Sequence, residues 1–138
     1  MAKIRHIALT TGNPDKAAAF YKEAFDMEEI RRSENGAVFL TDGYINLAIL
    51  NYKTAAKDAD VGPNGDNYDG IHHIGFQVDD LDAACEKLEQ AKGTAITTRE
   101  GADTAMAAPG APRNFEMKWS GPDDVVLDIS HTGWQTSK

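Results

Sequence analysis

A single cysteine, Cys85, in 138 residues leaves no intrachain disulfide to form, which excludes disulfide-stapled scaffolds and compact thiolate zinc sites. No stretch approaches the roughly 18 apolar residues of a membrane span, and Met1 to Arg5 lead into alternation rather than a signal-type apolar run. A cytoplasmic location is therefore expected. Basic charge is also scarce: 14 Lys and Arg stand against 22 Asp and Glu, a net charge of −8. Residues 1–69 hold 8 basic and 11 acidic side chains, and residues 70–138 hold 6 and 11, so neither half offers a positive face. Nucleic acid and anionic membrane surfaces are thereby disfavoured as partners. The chain also lacks a nucleophile elbow, a phosphate-cradling glycine loop and a Cys-His cluster.

What is present is one soluble domain's worth of apolar residues, 41%, organised as a repeat. His6-Ile7 recurs 67 positions later as His73-Ile74, Asp15 matches Asp82, and Ala17 matches Ala84. Each half starts with an alternating strand, Ile4 to Thr10 and Ile71 to Val78. A helix-start signal follows, Asn13-Pro14 in the first half and Asp79 or Asp80 in the second. Ala17, Phe20, Tyr21, Ala24 and Phe25 form one apolar helix stripe, and Leu81, Ala84, Cys85, Leu88 and Ala91 form the other, with Gly93 as its stop. Cys85 is read as a small buried apolar residue. Short strands complete each half: Glu29 to Arg32, Ala37 to Thr41 and Tyr44 to Leu50, then Thr94 to Thr98, Phe115 to Trp119 and Val125 to Ser130. The expected fold is α+β, two tandem β-α-β-β-β modules whose curved mixed sheets enclose a shared cleft. Module 1 covers about 1–52, a linker 53–70, and module 2 about 71–134. The linker and the Gly-, Ala- and Pro-rich segment 99–114 read as connections or as lids over the cleft.

Strand parity locates the chemistry. Ile7, Leu9, Ile74 and Phe76 face the helices, which sends His6 and His73 to the opposite sheet face. By the same alternation Leu127 and Ile129 face the helix while Asp128 faces away, and Asn46 stands beside His6. Two neutral imidazoles and a carboxylate suit a divalent transition metal with open positions for substrate or oxygen, and Asn46 is a weak fourth position. Histidines and an aspartate that decorate a polar sheet face are the alternative. Glu116 and Lys118 alternate with Phe115, Met117 and Trp119, so they face the cleft if the aromatics face the helix, or else are solvated edge charges. His131, just past the last strand, is a candidate acid–base group at the cleft mouth, as is Glu116. His72 has helix-facing parity and reads as a packed or rim histidine. Trp119 and Trp134 read as core and terminal packing.

The stretches Ile4-Arg5-His6-Ile7-Ala8-Leu9, Phe20-Tyr21, Gly70 to Asp80 and Gly121 to Asp128 resemble the vicinal oxygen chelate superfamily. That group includes glyoxalase I, methylmalonyl-CoA epimerase, extradiol dioxygenases, and bleomycin and fosfomycin resistance proteins. The resemblance implies metal ligands at His6, His73 and Asp128, the last where relatives usually carry glutamate. The fourth family position falls on Asn46, a poor base where glyoxalase-like relatives place a proton-moving acid or amide. On that ground dioxygenase-type chemistry stands slightly ahead of glyoxalase-type (lactoylglutathione lyase-like) isomerisation, with Fe2+ or Mn2+ the first-choice ion and Ni2+ or Zn2+ next. The substrate is expected to be a small oxygenated metabolite held through two neighbouring oxygens, and the assembly a homodimer. A metal-free binding module of the bleomycin-resistance kind is the alternative.

Overall fold

The computed structural model describes residues 1–53, 67–97 and 116–138. In chain order the elements are β1 (Lys3–Thr11), α1 (Pro14–Phe25), β2 (Glu28–Arg32), β3 (Val38–Thr41), β4 (Asn46–Asn51), β5 (Gly70–Gln77), α2 (Leu81–Gln90), β6 (Thr94–Ala95), β7 (Glu116–Ser120) and β8 (Val126–Ser130). The segments read as lids fall almost wholly on 54–66 and 98–115, outside the described residues, as does Phe115.

Helix boundaries follow from local chemistry. Asn13 caps α1 by accepting from the Lys16 backbone N–H at 3.1 Å, and Pro14 occupies the first position, where no amide hydrogen is required. Asp80 caps α2 through the Ala83 N–H at 3.0 Å. The stop of α2 differs from expectation. Lys92, at φ 70°, takes the left-handed turn, and Gly93 donates its N–H back to the Leu88 carbonyl at 2.8 Å. The glycine is needed for closeness instead: a Cβ there would lie 3.1 Å from that carbonyl.

The eight strands form one mixed, curved sheet in the order β2-β3-β4-β1-β5-β8-β7-β6. β1 pairs parallel with β4, β5 pairs parallel with β8, and β1 and β5 pair antiparallel at the centre. The order reads alike from either end, so each half contributes four strands and the halves join edge to edge within one chain. A doubly wound parallel sheet is excluded.

Both helices pack on one sheet face. Ala17, Ala18 and Tyr21 of α1 pack on Val38, Leu40, Leu47 and Ile49, joined by Ile7 and Leu9. Leu81, Ala84, Cys85 and Leu88 of α2 pack on Met117, Trp119 and Ile129, joined by Phe76. Burying each large side chain contributes about 1.5–3 kcal/mol, so these two clusters fix the parity of every strand that reaches the other face. The α1 stripe is narrower than its apolar residues suggested. Phe20 and Phe25 are 59% and 64% exposed, because the arc facing the sheet is filled by Ala17, Ala18 and Tyr21. Cys85 is only partly buried, with its Sγ 3.8 Å from the Met117 sulfur.

Candidate active site

On the face away from the helices, His6, Asn46, His73 and Asp128 are all buried. Register explains the convergence: His6 is level with Asn46 across β1–β4, and Asp128 is level with Gly75 across β5–β8. Where β1 meets β5, the pairing steps from Ala8–His73 to Leu9–Ile71, which leaves His72 as the extra residue of a bulge. The bulge overrides the helix-facing parity expected of His72. Its Nδ1 lies 2.5 Å from the Nδ1 of His73.

Hydrogen bonds orient the two central imidazoles. Asn46 donates its Nδ2 to the Gln135 carbonyl at 2.7 Å, so its Oδ1 is the atom 2.8 Å from His6 Nδ1. His6 therefore donates from Nδ1 and presents the Nε2 lone pair. That Nε2 lies 3.0 Å from His73 Nε2, which in turn lies 3.1 Å from Asp128 Oδ2. Burial holds both histidines well below the ordinary imidazole range, His6 at about 4 and His73 at about 3, so both are neutral near pH 7. Burial pushes the Asp128 carboxyl up, but the cationic partners outweigh it and hold the group below its usual range. With His73 neutral, the lasting cation is Lys118, whose Nζ reaches both carboxylate oxygens at 2.8 and 3.0 Å from the directly opposite position on β7.

The rest of the cleft wall is charged and aromatic. Glu116 and Lys118 alternate with buried Met117 and Trp119, so the structure places both on the cleft side. Burial, then the neighbouring charge of Asp128, pushes the Glu116 carboxyl up to about 7. Trp134, read from sequence as terminal packing, lies against the site. It stacks on His6 and donates its Nε1–H to Glu116 at 2.7 Å. The signal for it was Gly75, a glycine inside a strand between site residues: a Cβ there would fall 2.6 Å from His6 Cβ and 2.7 Å from Trp134 Cη2. His131 is exposed and lines a separate cavity of about 340 Å3 with Lys3, Arg5 and Gln77, to which His6, His73 and Asp128 do not contribute.

The donor chemistry fits a divalent metal. Lone pairs on two imidazole nitrogens and a carboxylate, each within 3.1 Å of the next, repel unless a proton or cation lies between them. Ligands of one metal at about 2.0–2.2 Å stand about 3 Å apart in the same way. Among the described residues no group of three His, Cys, Asp or Glu side chains is placed, as it stands, to hold a metal ion. Instead the contacts run as a chain through His73 Nε2, and Lys118 grips its far end.

A family model described as the Glyoxalase/Bleomycin resistance protein/Dioxygenase superfamily matches residues 3–116. The chain belongs to this superfamily. Within it, the lactoylglutathione lyase of Haemophilus influenzae is 28% identical over 129 residues, covering 85% of this chain and 90% of the relative. A probable lactoylglutathione lyase of Vibrio cholerae is 30% identical over 105 residues, 71% of each. Among solved structures, methylmalonyl-CoA epimerase with bound methylmalonyl-CoA and NH4+ matches at a TM-score of 0.62, 18% identity and 94% of both chains. A hypothetical protein of Bacillus halodurans C-125 matches at 0.62, 15% identity and 99% of both. These two structures share the curved-sheet fold of the superfamily, and at such identities the likeness is one of fold alone.

Proposed function

We propose that this superfamily member is a divalent-metal-dependent enzyme that moves a proton on a small oxygenated substrate, of the lyase or isomerase type. The observation that carries the reading is geometric: two carboxyl groups share one cleft in opposite settings. Asp128 is gripped by Lys118 at 2.8 and 3.0 Å and lies 3.1 Å from His73, which goes with its being held low. Glu116 is met by the Trp134 indole at 2.7 Å and pushed up by burial and the Asp128 charge. Such a split assigns one group to charge and the other to proton transfer near neutral pH. Kinship with proteins named lactoylglutathione lyase supports the same choice over dioxygenase chemistry.

His6, His73 and Asp128 are the side chains that would hold the ion, which when bound polarises a substrate oxygen. Asn46 is assigned to orienting His6 rather than to ligation, since both ends of its amide are engaged elsewhere. Glu116 holds the proton to be exchanged at its carboxyl oxygens. Trp134 donates to Oε1 of that group and, lying over His6, keeps bulk water off this side of the cleft.

In D2O, the metal-loaded protein is expected to exchange deuterium into the carbon beside the carbonyl of lactoylglutathione or another small α-hydroxycarbonyl compound. Glu116→Gln should slow this at least about 100-fold. Two histidines with one carboxylate also suit an oxygen-activating iron site. Oxygen consumption with a catechol and iron, without deuterium exchange, would establish that second reading. Binding of a small molecule with neither reaction would point to the metal-free binding module.

A further inference from the structure

We propose that Lys118 is a resident cation that competes with the divalent metal for Asp128, so that metal enters this site only as the lysine lets go of the carboxylate. The inference rests on the ligand assignment made above and concerns how the ion is admitted.

The geometry carries it. Lys118 and Asp128 stand directly opposite each other on the antiparallel strands β7 and β8, so the backbone itself aims one side chain at the other. The Nζ contacts both oxygens, at 2.8 and 3.0 Å, and Asp128 is fully buried. A buried carboxylate without a partner is costly, and the lysine meets that cost when no ion is present. Asp128 Oδ2 is also the oxygen 3.1 Å from His73 Nε2, hence the oxygen turned toward the imidazoles. A divalent ion drawn to the carboxylate and the two Nε2 lone pairs would stand against a primary ammonium within a few ångströms, and like charges at that range repel strongly where water is sparse. Lys118 is only partly buried, its side chain 21% exposed, so it has a route outward that Asp128 lacks. The same arrangement accounts for there being, among the described residues, no three His, Cys, Asp or Glu side chains placed to hold a metal ion: the third corner is already held by a lysine.

Isothermal titration of Ni2+ into the wild type, Lys118→Met and Lys118→Arg tests this. Lys118→Met keeps the aliphatic stem and removes the charge, and is expected to bind Ni2+ at least about tenfold more tightly, the size of change that groups around a metal typically impose. Lys118→Arg keeps the competing charge and should bind no more tightly than the wild type. Equal affinity in all three proteins would overturn the proposal while leaving the ligand set standing. Ni2+ binding to none of them would overturn both. Should Lys118→Met fail to fold, the wild type answers alone: acetylation of Lys118 by acetic anhydride, mapped by mass spectrometry, is expected to speed up severalfold with saturating Ni2+. An unchanged rate under saturation would refute the release of the lysine.

Discussion

Trp134 lies flat on His6, with ring centroids 4.7 Å apart and planes 4° from parallel. The stack ties the C-terminal segment to β1, while the indole N–H bond to Glu116 ties it to β7. One side chain thus spans the line along which the halves join.

Trp134→Phe removes the donor to Glu116 and keeps a ring over His6. The bond from Trp134 favours the ionised carboxylate, so its loss should raise the Glu116 carboxyl further above the ordinary range. Asp128→Asn should act in the opposite direction, since the Asp128 charge helps raise Glu116. Carbon-13 NMR titration of the Glu116 carboxyl reads both. Shifts of the same sign in the two variants would break the proposed link.

Gly75→Ala tests the closeness of the site. A Cβ at this position meets His6 Cβ at 2.6 Å and two Trp134 ring atoms at 2.7 and 2.8 Å. Overpacking of this kind costs about 1–3 kcal/mol. In urea denaturation, Gly75→Ala combined with Trp134→Ala should cost less than the sum of the two single changes, because the second removes part of the obstruction. Strict additivity would mean that the ring does not occupy this space.

Stability should rise with pH between about 4.5 and 6.5 in protein freed of metal with EDTA. His6 and His73 are held near 4 and 3, below the unfolded imidazole, so across this window the unfolded chain binds up to two more protons there than the native protein. Their contribution is complete above the unfolded imidazole value and fades as pH falls toward the folded values. Glu116, raised to about 7, works the other way: its contribution is complete below its unfolded value of 4.5 and is lost as pH rises through 7. Two protons against one leave a net slope of about 1 kcal/mol per pH unit, stabilising toward higher pH. In Glu116→Gln the slope should roughly double. Denaturation midpoints flat across this range would mean that the imidazoles are not buried as neutral groups.

Much of this was legible in the chain because the two signals used were strict. The 67-residue recurrence of His-Ile announced paired modules, and strand alternation sent His6, His73, Asn46 and Asp128 to one face, where the structure places them; it left Glu116 and Lys118 open between the cleft and a solvated edge, and the structure puts both in the cleft. What alternation could not see was its own interruption. The bulge at His72 turns that residue toward His73, and a bulge is a property of pairing between strands, absent from either strand alone. Trp134 and Gln135 follow the last strand, where no periodicity exists to aim them. Their contacts with His6 and Asn46 depend on how the chain end crosses the sheet. The α1 stripe erred for another reason: Phe20 and Phe25 have helical spacing, yet the small residues Ala17 and Ala18 fit the sheet and leave the larger rings outside.

The most direct measurement of the central claim is the stoichiometry and affinity of Ni2+ and Zn2+ for chelator-stripped protein, by equilibrium dialysis with elemental analysis, in the wild type and in His6→Ala, His73→Ala and Asp128→Asn. The expected result is one ion per chain in the wild type and at least about tenfold weaker binding in each variant, since a direct ligand should matter no less than the groups that orient it. An Asp128→Asn protein that binds the ion as tightly as the wild type at matched pH and salt, or a wild type that binds none, would contradict it.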